Sequence, residues 1–228
     1  WKGILAQVGV NYVDVLRQAQ LPEDLLNRDN VRLSSNALLR FSEAIDASVT
    51  ASDFWVRLTD TISPELFAPP VFAALCSPDL ATAAARLARF KPLIAPISLD
   101  VRDEPSGLTL TYCWKDASSK PPAFIYAVEA LFIVKLARLG TRQHIRPTSV
   151  SVPELPSDSR AFEAFLGVRM QQDKHIRVAF SASDAHRSFL TANQAMWSIF
   201  EPELRKRLAD LDSDATFTKR ARAVLLEG

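Results

Sequence analysis

The hydrophobic period of this chain changes at the prolines Pro92 and Pro96, and that change restricts its fold class more than any other feature. Upstream, apolar residues recur every three or four positions: Leu38, Phe41, Ile45 and Val49 in one segment, Leu80, Ala84, Leu87 and Phe90 in the next. Such spacing lines one face of a helix. Downstream, Ile97, Leu99 and Val101 alternate with Ser98, Asp100 and Arg102. After the turn "EPSG", Leu108, Leu110, Tyr112 and Trp114 alternate with Thr109, Thr111 and Cys113. A period of two puts every apolar side chain on one face of a hairpin. Helices come first and a hairpin follows, so the chain reads as α+β.

Local signals fill in the order. Ser34 or Ser35 caps the helix that contains Phe41, and "SPD" at 77–79 opens the next, with Asp79 in its first turn. "KPPAFIYAVEALFIVKLARLG" reads as a helix with proline near its start and Gly140 past its end. A strand "PTSVSV", a helix "SDSRAFEAFLG" stopped by Gly167, and two strands "VRMQQ" and "HIRVAFS" joined by a polar turn at Asp173 and Lys174 follow. A long helix "ANQAMWSIFEPELRKRLADL" comes last, linked by polar "DSDATFT" to a final basic segment. The expected fold is an N-terminal helical half packed on a small, largely antiparallel sheet in β-β-α-β-α-β-β order, ending in a long helix. Only six glycines and this many helices argue against an all-β jelly roll.

The bulk numbers narrow the function classes. A formal charge of +1 gives no global reason to expect nucleic acid or an anionic membrane as partner. No apolar run reaches the ~20 residues a spanning helix needs. The longest candidate is broken by Glu129 and Lys135, which makes it a buried core helix. Cys76 and Cys113 lie outside any CxxC spacing and read as free thiols in a reducing compartment, so the cytoplasm is the expected location. The chain opens without Met, at Trp1, and stops just after "FTKRARAVLLEG" begins a helical pattern; both ends read as joins to further chain.

Catalytic and metal signatures are sparse. His144, His175 and His186 are scattered, with no i, i+4 partner, so no metal site is expected. GxGxxG, GxxxxGK[ST] and GxSxG are absent, and neither a cofactor nor a nucleophile is expected. The acidic run "DVRDE" sits at a strand end, where carboxylates are usually solvated.

Four groups of residues carry what functional signal there is. Glu129 interrupts an almost wholly apolar helix; it is either a structural salt-bridge or rim residue, or a polar anchor in a ligand pocket. Lys91, at the helix-to-strand transition beside Arg89, is either a solvated helix-end cation or a ligand contact. Phe72, Phe90, Tyr112, Trp114 and Tyr126 are either ordinary core or the lining of a small-molecule cavity. Met196, Trp197, Phe200, Leu204, Leu208 and Leu211 form a stripe that is either core or a helix-to-helix dimer seam. Acidic residues interrupt every basic run from Arg205 onward, which fits a solvated face rather than a phosphate-binding stripe.

Taken together, these stretches resemble a known family. "FAPPVFAALCSPDLATAAARLARFKPLIAPISLDV" is similar to the middle of the effector-binding domain in one large, non-jelly-roll branch of AraC/XylS-type bacterial transcriptional regulators. "FEAFLGVRMQQDKHIRVAFSASDAHRSFLTAN" resembles that domain's second signature, and "VRLSSNALLRFSEAIDASVTASDFWVRL" its early helices. The third strand departs from the pattern: it reads "VSVPELP" where the family often runs into a His-containing turn.

The resemblance implies a regulatory domain over 1–212, mainly helical over 1–95 and sheet-containing over 96–192. Residues 213–228 would start a linker to a helix-turn-helix DNA-binding domain that the sequence does not contain. It also implies a homodimer, and contact with operator DNA only through that other domain. A small hydrophobic or amphipathic effector is expected, a carboxylic acid being one form, with Lys91 or Arg89 meeting the carboxylate. The competing readings are a pure dimerisation module with a filled core, and an enzyme in which Glu129 and His144 would have to converge.

Overall fold

The computed structural model describes residues 2–28, 33–64, 68–116, 119–156 and 159–226, with backbone alone at 7 and over 214–226. Trp1 and the last two residues of the basic terminal segment lie outside the described residues. Helices α1 (Lys2–Gln7), α2 (Tyr12–Gln18), α3 (Ser35–Ala47), α4 (Phe54–Thr61), α5 (Pro69–Leu75) and α6 (Leu80–Phe90) form the first half. Strands β1 (Ile97–Glu104) and β2 (Gly107–Trp114), helix α7 (Ala123–Thr141), β3 (Ser149–Val152), α8 (Ser159–Leu166), β4 (Met170–Gln172) and β5 (Ile176–Phe180) follow. A short α9 (Ala182–Ala185) and the long α10 (Gln194–Leu226) complete the chain.

The caps follow local chemistry. Ser34 caps α3 by accepting from the Ala37 amide, and Asn193 does the same for α10 at Met196. Asp79 stands just before α6, where its carboxylate accepts from the Thr82 amide at 2.8 Å, rather than within the first turn. The polar segment expected to interrupt the last helix stays helical through to Leu226.

The sheet has five strands in the order β1-β2-β5-β3-β4, antiparallel except for β3 beside β4. The hairpin register pairs Leu99 with Tyr112 and Ile97 with Trp114. Leu99, Leu110, Tyr112, Val150 and Val178 are buried on one face, whereas Asp100, Arg102 and Arg177 on the other are exposed. One expectation changes here. β4 and β5 follow one another across the Asp173 turn but are not neighbours, because β3 pairs with both and lies between them.

Helix α7 lies on the buried face and touches α4, α5, α8, β3 and β5. It is apolar nearly all round, which suits a helix enclosed by protein. Gly140 does not end it. The helix continues to Thr141, and Arg142 supplies the left-handed C-cap at φ 54°. Gly140 instead makes room for Phe189: a Cβ there would come within 2.6 Å of the Phe189 ring. Phe189 is 4% exposed and its neighbour Leu190 donates its amide to the Gly140 carbonyl, so the ring is held in place.

Two opposed effects set the outcome of Gly140→Ala. Helix propensity favours alanine by about 1 kcal/mol, while overpacking against a fixed ring costs about 1–3 kcal/mol. We expect a net loss of stability in urea denaturation, relieved when Phe189 is shortened to leucine in the same chain. A gain in midpoint would show that Phe189 moves freely.

Candidate effector cavity and the seat of the last helix

Two depressions flank one aromatic pair. Trp55 of α4 and Phe124 of α7 stack with ring centroids 4.6 Å apart and planes 12° from parallel. On one side lies a surface cleft of about 640 Å³ bordered by Asp46, Glu154 and Phe162. Its acids are engaged: Asp46 accepts from the Trp55 indole at 2.7 Å, and Glu154 from Lys120 at 2.7 Å. On the other side lies a partly open cavity of about 350 Å³ lined by α1, α3, α4, α5, α6, α7 and the β1–β2 hairpin. This second volume is within the range of small-molecule sites.

The sequence explains why the cavity is apolar. The inward face of the hairpin supplies Ile97, Leu99, Tyr112 and Trp114; α7 supplies Val128, Phe132 and Leu136 at helical spacing. Its polar groups are few. Ser42 donates its hydroxyl to the Leu38 carbonyl, and the Trp114 indole donates to Ser119 at 3.1 Å.

Lys91 and Glu129 are the two charged residues in the wall. Lys91 opens the 3-10 turn (Lys91–Leu93) that closes α6, and Glu129 lies in the second turn of α7. The ammonium donates to Oε2 of Glu129 at 2.6 Å, with the two side chains 10% and 15% exposed. It also stands 5.7 Å from the centre of the Tyr112 ring. Glu129 is therefore both a salt-bridge residue and part of the cavity wall, and Lys91 is not a solvated helix end. Tyr112 is 4% exposed; its hydroxyl makes no hydrogen bond to the described residues, and because no fully buried polar side-chain atom among them lacks a partner, it borders open space. Burial, and then the nearby Glu129 carboxylate, push its phenol well above the ordinary value of 10.0.

The remaining candidates are placed elsewhere. Arg89 is half-exposed and pairs with Glu201 of α10 at 3.4 Å. Phe90 is 1% exposed and packs against Trp197 of α10, with ring centres 6.2 Å apart. Phe72 meets Phe200 edge to face at 5.5 Å. Tyr126 is buried nearer Lys120 and Glu154, and burial raises its phenol too. His144 is exposed beyond the end of α7 and does not converge with Glu129.

The stripe on α10 is occupied within the chain. Trp197 and Leu204 are buried with Ala73, Cys76 and Phe90, and Met196, Phe200 and Leu208 pack against that cluster; Leu211 is half-buried. The Arg86 guanidinium lies 3.8 Å from the Trp197 ring centre, a cation–π contact that the sequence pattern did not reveal. Trp55 and Phe124 were also missed, since neither stands out from an ordinary core periodicity.

Removing one member of a buried pair strands the other, at about 3 kcal/mol. Lys91→Met should lower stability by about that amount in urea denaturation, and adding Glu129→Met should restore most of it; a loss near zero in Lys91→Met would place the pair in solvent. Alkali gives a second check. A phenol raised in the folded state favours folding below the unfolded value of 10.0 and loses that contribution as pH rises past it. Stability should fall above about pH 10, less steeply in Tyr112→Phe, with Tyr126 accounting for part of the remaining slope.

Comparison with known proteins bears on this arrangement. No curated protein sequence matches the chain. The fold is similar to that in the crystal structure of the transcriptional regulator CdpR from Pseudomonas aeruginosa, with a TM-score of 0.57 and 16% identity. The similarity covers 86% of this chain and 58% of that one, so the chain spans little more than half of that regulator's length. The model of the arabinose-binding domain found at the N-terminus of AraC transcription regulators matches residues 9–189. The chain belongs to that family of N-terminal regulatory domains.

Proposed function

We propose that the cavity beside Lys91 and Glu129 binds a small amphipathic effector, and that α6 relays its occupancy to α10. The observation that carries this reading is the cavity itself, about 350 Å³ of apolar-walled space at the junction of both halves of the fold. A module used only for association has no need of such a space. The lining favours a mostly apolar ligand over a sugar. Four or five sugar hydroxyls would find few side chains with capacity to spare, namely Lys91, Glu129, Tyr112 and the acceptor side of Ser42, and unpaired polar groups are costly to bury.

The relay rests on two faces of one segment. Leu87 and Lys91 face the cavity, while Arg86, Arg89 and Phe90 hold Trp197 and Glu201 of α10. An effector that prefers one position of α6 would thereby bias α10. We take residues 1–212 as the regulatory unit and 213–228 as the lead toward a DNA-binding domain of the full regulator, in a cytoplasmic homodimer. Trp197 and Leu204 are used inside the chain, so a dimer seam on α10 would draw on the partly exposed members of the stripe, Met196, Phe200, Leu208 and Leu211. Leu204→Asp would then report the docking of α10 rather than dimerisation.

Native mass spectrometry of the purified protein tests the sensor reading. We expect either a retained small molecule or uptake of an amphipathic probe that quenches Trp55 and Trp114. Val128→Trp fills the cavity and should abolish both while leaving the fold intact by circular dichroism. Equal uptake by Val128→Trp would move the site out of this cavity.

A further inference from the structure

The cavity wall also constrains the charge of what it can hold. Its two charged residues cancel: Lys91 and Glu129 are in contact at 2.6 Å, and no other lining residue carries a charge. The ammonium also faces the Tyr112 ring. A carboxylate entering this space would meet a cation already neutralised. It would either leave the cavity with an excess negative charge or displace Glu129, stranding a buried carboxylate. An ammonium ligand meets the converse problem. A neutral head group meets neither, and the wall has hydrogen-bonding capacity to offer it. Lys91 retains N–H donors beyond the one given to Glu129, Glu129 retains acceptor sites, and the Tyr112 hydroxyl is unpartnered among the described residues.

We propose that the effector carries an uncharged head group that both donates and accepts hydrogen bonds, such as an amide or alcohol, read by Tyr112 together with the Lys91–Glu129 pair. This rests on the cavity being the effector site. The remainder of the ligand is apolar, and the volume admits on the order of a dozen water-sized non-hydrogen groups. The free carboxylic acid considered from the sequence is thereby replaced by a neutral relative of the same skeleton. Glu129 sets this choice, because it occupies the cation that an acid would need.

Octanamide and octanoate separate the two chemistries, being close in shape and different in charge at pH 7. Binding is read by quenching of the cavity tryptophans and by calorimetry on the whole chain. The parent protein should bind octanamide at least about tenfold more tightly than octanoate, a gap of about 1.4 kcal/mol. In Glu129→Gln the Lys91 charge is no longer neutralised, so octanoate should gain about tenfold or more and octanamide change little. Tyr112→Phe, which removes one hydroxyl and keeps the ring, should weaken octanamide several-fold without improving octanoate. Octanoate binding the parent as tightly as octanamide would overturn the neutral head group while leaving the cavity as the site. If neither probe binds the parent or Glu129→Gln at millimolar concentration, both the head-group proposal and the sensor reading fall.

Discussion

The centre of this fold is arranged around the need to enclose α7. An α-helix that is apolar nearly all round cannot lie on a surface, so it needs a cover on each side. The sheet covers one side through β3 and β5, and α4, α5 and α8 cover others. Its few polar side chains then act as ties to separate elements. Glu129 reaches Lys91 at the end of α6, Lys135 donates to the Asp60 carbonyl at the end of α4, and Arg138 donates to carbonyls of Ile145 and Phe165. Each tie satisfies a group that would otherwise be buried at a cost, and each fixes where a neighbouring segment must end.

The sequence made the element order and the hairpin register legible, because both depend on local periodicity. Leu99 opposite Tyr112 follows from alternation on either side of one turn. It also marked Glu129 and Lys91, since a charge among apolar residues stands out in one dimension. That the two meet is a tertiary fact, set where the fold places the turn after α6, and no spacing between positions 91 and 129 encodes it. Gly140 misled for a related reason. Near the end of an apolar run it resembles a helix stop, but Phe189, far along the chain, is what requires its missing side chain.

The aromatic residues were harder to assign. Tyr112 and Trp114 share a face with Ile97 and Leu99, and that face fronts the cavity. Phe72 and Phe90 lie on helices with comparable spacing and face α10 instead. Periodicity identifies a buried face without naming what covers it. The α10 stripe has the same ambiguity. Trp197 and Leu204 repeat as a dimer seam would, and their partners are α5 and α6 of the same chain.

A buried ion pair is weak evidence for stability, because apolar residues of similar volume often do as well. The position of this pair suggests why one is used. It closes the helix that also seats α10, and Lys91 follows directly after Phe90, which packs against Trp197. A pair with hydrogen-bonding capacity left over can be joined by a ligand, and the proposed relay to α10 would draw its differential affinity from a contact of that kind.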